Sequence, residues 1–442
     1  LAPALVIERG GKIIANGTQD KPITFTSNLP ESELPDRGTW GGLIILGHAP
    51  INKGENFVEG LAGIPYGGND PEDNSGILRY VRVWYGGRSI GQDNEINGIT
   101  FAGVGNGTTV EHCEVAYNLD DGFEWFGGTV NVKYLSSLFC GDDAFDTDEG
   151  YRGKAQFLFA VQGKDLCGRG LEMSNLESDH NQQPRSYPQF SNVTIIGPDG
   201  DTPAGDGSDE LIRLREGTGG DFRNMVLAYG NGVGMRVKDD ATIALVGDSI
   251  AFSSNSVIFD CPEGQFHSDV AASFTAQDID PEFRHIEGRE VDGMIDPRPA
   301  DGSSLLNSSV ALESDGFFSQ VDFVGAFGYN LWLRGWSILD EQGRLPEPTV
   351  NEISGDITSN TTWYASEQYL LIGQTFVKAG AILTIEPGTV IKALPDDGAG
   401  LAPALVVERG GKIIADGTAE APITFTSSLP ETELPARGTS GG

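Results

Sequence analysis

The stretch GDDAFDTDEG places Asp142, Asp143, Asp146, Asp148 and Glu149 within ten residues, and Asp120, Asp121 and Glu124 stand 22 positions before Asp142, Asp143 and Asp146. Carboxylates brought close together repel one another unless positive charge lies between them. Calcium suits such a set, because it takes six to eight oxygen ligands in flexible geometry. The order Asp146, Asp148, Gly150 matches part of a calcium loop, although the terminal Glu of the full helix-loop-helix pattern is absent. Asp120, Asp121, Asp142, Asp143, Asp146, Asp148 and Glu149 are thus the candidate ligands of a structural Ca2+. The alternative is a solvated ladder of Asp turns with Arg152 and Lys154 as counter-charges. The same groups admit catalysis, with Asp142 and either Asp121 or Asp143 as acid and base or nucleophile across a glycosidic bond.

Other chemistry is sparser. Asp199, Asp201, Asp206 and Asp209 in GPDGDTPAGDGSDE read as a loop first and a cation site second. His48, His112, His180, His267 and His285 are isolated, without zinc-ligand spacing. GVGNG and GTGG lack the strand-to-helix setting of a phosphate loop and read as turns. Phe327, Tyr329, Trp332 and Trp336 suit either a packed element or a sugar-stacking surface. The four cysteines are too few for a disulfide scaffold, and Cys140 with Cys167 is the preferred pair if a bridge forms.

Short strands must carry these groups. The chain has 61 Gly and 23 Pro, and its apolar residues fall in short β-branched clusters such as ALVIE, PITFTS and GGLIIL, which excludes a helical protein. TVEHCEVAYNLDDGFEW and NVKYLSSLFCGDDAFDT align with Val110 over Val132 and Phe123 over Phe145, a step of 22 residues. That is one coil of a solenoid whose parallel strands stack about 4.8 Å apart. Val115, Tyr117, Phe123, Trp125, Val130, Val132, Leu135 and Phe139 are the expected interior or lip positions. The fold expected is all-β, a right-handed parallel β-helix. Residues 1–262 form the helix, 47–75 a loop excursion, 263–345 an irregular cap or side-packed element, and 346–442 the start of a further helix unit.

YLLIGQTFVKAGAILTIEPGTVIKA, ALVVERGGKIIADGTAEAPITFTS, WGGLIILGHAPIN and DFVGAFGYNLWLRGWS resemble a large group of secreted and surface-exposed bacterial parallel β-helix proteins, often lipoproteins or outer-membrane-associated. The resemblance covers most of the chain. It implies the fold and an extracellular or cell-surface address, but no catalytic set. The Gly-His-Gly and Arg-x-Lys elements of polygalacturonase-like helices are absent, and no arginine-rich lyase patch is visible in the sequence.

The sequence also repeats itself. Residues 1–42 and 401–442 differ at nine positions with a constant offset of 400, which points to a unit of about 400 residues recurring in a longer chain. A β-helix with an uncovered end exposes a coil of unpaired backbone, and a neighbouring unit that supplies the missing coil turns this liability into a joint. The function expected is therefore structural: a subunit of an extracellular filament or multi-repeat fibre whose partners are copies of itself, end to end. A surface adhesin binding polysaccharide is the alternative, and a lyase or glycosidase the third. With 64 acidic against 29 basic residues and a net charge of −35, nucleic acid is not a partner. No stretch reaches the roughly 20 apolar residues of a membrane-spanning helix.

Overall fold

The computed structural model describes the chain apart from residues 1–2, 35–36, 58–62, 89–95, 199–207, 287–292, 396–400, 418–421, 431 and 433–442. It divides into two units, Leu1–Gly328 with Trp336–Arg344, and Tyr329–Gly335 with Leu345–Gly442.

In the first unit each coil contributes three strand segments in a fixed order. The first row, all parallel, runs Leu5–Ile7, Leu43–Leu46, Ile99–Ala102, Phe123–Phe126, Phe145–Asp148, Leu171–Met173, Glu210–Leu214 and Val233–Val237. The second and third rows are fused into long strands: Gly76–Trp84, Thr109–Ala116, Val132–Leu138, Lys154–Val161, Gln189–Ile196 and Gly220–Ala228. In the first coil they are still separate, as Ile13–Asn16 and Ile23–Phe25, and both pair with Gly76–Trp84. The fold is the expected parallel β-helix, and Val110 sits opposite Val132 as the 22-residue step requires.

Like residues form ladders inside. Phe101, Phe123, Phe145 and Trp125 are wholly buried, with Val115, Val130, Val132 and Leu135. Tyr117 and Phe139 instead lie outside the main core cluster, in a stack with Tyr85 at ring spacings of 5.3 Å. The reason is a corner that sequence patterning does not announce. Tyr85, Tyr117 and Phe139 have φ of 59°, 53° and 57°, and Tyr80, His112, Tyr134 and Phe157 have φ between 49° and 61°. The first three turn the chain just past the ends of their long strands, and the other four turn their long strands between second- and third-row halves. Each costs about 1–2 kcal/mol for a non-glycine residue. Stacking offsets it, with rings 4.5, 4.4 and 4.7 Å apart along Tyr80, His112, Tyr134 and Phe157. Burial in this stack pushes the His112 pKa down to about 3, so the ring is neutral.

Residues beyond 262 do two jobs. Phe266, Val270 and Phe274 join the core cluster at the far end of the helix, and Met235 N donates to Gln265 O at 2.9 Å. That end of the first helix is covered by the chain itself. Further along, residues 309–328 and 336–344 strap the outside of the fused sheet. Ser319 N bonds Gln156 Oε1 at 2.8 Å, Ala326 N bonds Thr194 Oγ1 at 2.8 Å, and Phe327 stands edge-on to Phe159. Buried Glu114 closes the strap by accepting from Trp84 Nε1 at 3.0 Å, Ile338 N at 2.8 Å and Ser136 Oγ at 3.1 Å. Trp336 and Trp332 are 1% and 7% exposed, so they pack the fold and present no ring face for a sugar.

The second unit repeats the three-row plan. Val350–Ile357, Gln368–Val377, Val390–Ala393 with Ala404–Val407, and Thr424–Ser427 stack in parallel beside the row Thr361–Trp363, Ile382–Ile385 and Lys412–Ala415. Its core holds Trp363, Tyr369, Leu371, Val377, Leu383 and Ile391. The cysteines correct one expectation: Cys140 and Cys167 are both unbridged and buried. Cys140 Sγ takes a hydrogen bond from Ser137 Oγ at 3.2 Å, and burial pushes the Cys167 thiol up to about 12, as befits packed thiols.

Candidate metal site on an acidic face

On every first-row strand the inward residues alternate with outward ones, so parallel pairing stacks the outward residues in a line. Register fixes that line as Thr100, Glu124, Asp146, Glu172, Arg213 and Arg236. Three and four residues upstream, the turns entering these strands add Asp121 with Asp120, Asp143 with Asp142, and then, three upstream of Glu172, Arg169. The result is one charged flank, acidic over the middle coils and basic over the later ones.

Three groups of carboxylates each have their oxygens within 4.8 Å: Asp120, Asp121 and Asp142; Asp121, Glu124 and Asp146; and Asp143, Asp146 and Glu172. Backbone fixes several of them. Asp143 N donates to Asp121 Oδ1 at 2.9 Å, Arg169 N donates to Asp143 Oδ1, and Asn97 Nδ2 donates to the Glu124 carboxylate. A β-carbon at Gly168 would collide with the Asp142 and Asp143 carboxylates, so the turn closes over them only with glycine.

Burial and mutual repulsion act in the same direction here. Burial first, then Asp120 and Asp146, raises Asp121 well above the carboxylate range. Burial, then Asp120, raises Glu124, and burial, then Glu124 and Glu172, raises Asp146. Burial, then Glu172 and Asp142, raises Asp143, against the pull of Arg169. A cation among these oxygens relieves that strain.

The sequence-predicted ligands separate on this map. Asp120, Asp121, Asp142, Asp143 and Asp146 converge. Glu149 does not: its buried carboxylate accepts from Lys53 Nζ at 2.6 Å, Asn56 Nδ2 at 2.8 Å and Tyr66 Oη at 2.7 Å, and so anchors the 47–75 excursion. Asp148 stands outside the three groups, accepts from Glu149 N at 2.6 Å, and is pushed up to about 7 by burial. Glu124 and Glu172 complete the set. Glu172 escapes a 22-residue search because it pairs with Asp146 at a distance of 26 positions. Arg152 and Lys154, the counter-charges expected from sequence, are engaged elsewhere, Arg152 at Arg185 O and Lys154 at Asp315. Asp209 lies 3.7 Å from Arg213, while Asp199, Asp201 and Asp206 fall outside the described residues.

The arginine patch that the linear sequence hides is next to the acids. Arg169 NH1 reaches Glu172 at 2.8 Å and Asp143 at 3.5 Å, Arg213 forks onto Glu210, and Arg215 NH2 reaches Glu172 at 2.8 Å. Arg169, Arg213, Arg215 and Arg236 come from three coils, Arg213 and Arg215 sharing one, and stacking assembles them.

The donor set fits a hard divalent cation. Every donor is a carboxylate oxygen, and Asp146 Oδ1 is shielded from solvent without a protein hydrogen-bond partner. Asp121, Glu124 and Asp146 would hold the ion, whose charge would let buried carboxylates stay ionised at neutral pH.

Coil-on-coil stacking around an apolar interior, with a charged outer flank in the first unit, defines a parallel β-helix protein of the kind that fits a surface protein or a polysaccharide-active enzyme. The pectate-lyase-like beta helix domain matches residues 2–289 and 355–442, and the chain belongs to that family. No curated protein matches the sequence.

Proposed function

We propose that this chain is the structural unit of an extracellular, multi-unit surface fibre, with successive units joined end to end through β-helix coils. The observation that carries this reading is the repeated coil: 1–42 and 401–442 are nearly the same sequence at a constant offset of 400, and both lie on parallel strands of a solenoid. The net charge of −35 keeps such fibres apart sideways. Negative-stain electron microscopy of native surface material is expected to show thin filaments with an axial repeat. Monodisperse globular particles at every concentration would overturn the proposal.

A second reading rests on a separate observation, the carboxylate and arginine line on one flank. Calcium held by Asp121, Glu124 and Asp146, flanked by Arg213, Arg215 and Arg236, suits acidic matrix polysaccharide. Retention on an acidic polysaccharide resin is expected in calcium, to be lost in chelator, and to be lost in Asp146→Asn. Equal retention in all three would refute a calcium-bridged surface.

A further inference from the structure

The two copies of the repeated coil use opposite edges. In the first, Leu5–Ile7 pairs with Leu43–Leu46, while Ile13–Asn16 and Ile23–Phe25 pair with Gly76–Trp84. All of these partners follow it in the chain. In the second, Ala404–Val407 pairs with Gln368–Val377, Lys412–Ala415 with Ile382–Ile385, and Thr424–Ser427 with Val390–Ala393. All of these partners precede it.

Between them the copies thus display two complete edges of one coil. The forward edge of the second copy has no strand partner among the described residues. Its inward side chains show the consequence. Val407, Ile413 and Phe425 are 39%, 37% and 51% exposed, whereas Ile7 is 9% exposed and Ile13 and Phe25 pack against the core. The inward apolar side chains with which the first copy meets its forward partners are nonetheless retained in the second, with Ile7 replaced by Val407, while outward Asn16, opposite Arg79, becomes Asp416. Leu405, Ile413, Ala415, Ile423 and Phe425 stand where Leu5, Ile13, Ala15, Ile23 and Phe25 stand.

We infer that the repeated segment is a shared coil. Its forward edge at 405–425 receives strands Leu43–Leu46 and Gly76–Trp84 of a second unit of the same sequence, in the register of the first coil. This rests on the end-to-end reading above and specifies its joint: Val407 would lie on Ile45, Ile414 on Ile77, and Phe425 on Val83 of the second unit. The strands of the two copies follow one another in the same three-row order. Stacking of one unit's 401–427 directly on another's 1–27 is the competing arrangement. It leaves Val407, Ile413 and Phe425 without the Leu43–Leu46 and Gly76–Trp84 surface for which their identities are kept.

The test uses the chain extended past Gly442 by residues 43–442 of a second unit, compared with the single chain by hydrogen exchange. Amides of 405–407 and 413–415 are expected to slow by on the order of a hundredfold in the two-unit chain, as an open edge becomes a paired one. Ile414→Cys paired with Ile77→Cys of the second unit is expected to oxidise to a disulfide, since parallel neighbours lie about 4.8 Å apart, within disulfide reach. Unchanged exchange and no cross-link would overturn the shared coil while leaving any filaments seen by microscopy to another joint. A ladder of cross-linked single chains carrying Ile414→Cys and Ile14→Cys would also overturn it, in favour of coil-on-identical-coil stacking. Absence of filaments in the native material would instead remove the end-to-end reading itself.

Discussion

Trp125→Ala is expected to cost about 3–5 kcal/mol, the range for emptying a large aromatic from a packed core, and to lower the cooperative melting temperature of the first unit by several degrees. Trp125 is wholly buried and touches five rings: Phe101 at 5.7 Å, Phe123 at 6.1 Å, Phe145 at 6.5 Å, Tyr151 at 5.5 Å and Phe190 at 6.4 Å. Because the core is a ladder, the cavity removes contacts from the coils on either side as well as its own. Differential scanning calorimetry checks this, with Ile14→Ser as the contrast. Ile14 is 67% exposed and points outward, so its loss should fall within about 0.5 kcal/mol. Equal melting of the two variants would mean that the interior is not held by the aromatic ladder.

The second large effect is a pH dependence with its source in Glu114. Burial is the main cause that raises its pKa to about 7, against the hydrogen bonds from Ile338 N and Trp84 and the nearby charge of Arg82. The folded state therefore holds a proton that the unfolded chain releases near pH 4.5. The contribution of Glu114 is fully present below about pH 4.5 and is lost as pH rises through about 7. The integrated difference is about 3 kcal/mol by linkage. Other buried carboxylates push the same way, so the measurement is a comparison of slopes. Denaturant midpoints of the wild type between pH 5 and 8 should fall more steeply than those of Glu114→Gln, which keeps the acceptor for Ile338 N and carries no charge. Hydrogen exchange at 336–344 should rise in step with the wild-type loss. Parallel slopes in the two proteins would show that Glu114 does not titrate in this window.

Both effects arise from stacking. Glu114 follows Cys113 in an ordinary strand text, yet it ends as the lock for a segment 224 positions away. Such a partner is chosen by the path of the strap across the sheet, which no local pattern encodes. The acidic flank is a mixed case. Asp121 and Asp143, or Glu124 and Asp146, lie one regular coil apart, and a period of 22 brings them together on paper. Glu172 and the arginines come from coils of other lengths, because turns lengthen where the loops do, and register across a lengthened turn is set by packing of the interior.

Glu149 shows the opposite failure. Its place in a run of acids made it look like a ligand, but the residue after Asp148 turns the other way, with φ of 54°, and meets Lys53, Asn56 and Tyr66 from the excursion. A charge run on a turn splits between faces according to backbone angles that residue type alone does not fix.

By itself the sequence determined the parallel solenoid, its step, most of its interior and the repetition of one coil at an offset of 400, because alternation of apolar residues and periodic spacing are local and additive. Tertiary structure decided how the far end of the first helix is covered, which acids converge, which arginines stand beside them, and which strands each repeated coil pairs with. Those outcomes depend on pairing between residues far apart in the chain. Such pairing is settled by competition for a shared interior and for unsatisfied backbone groups, not by the preference of any single segment.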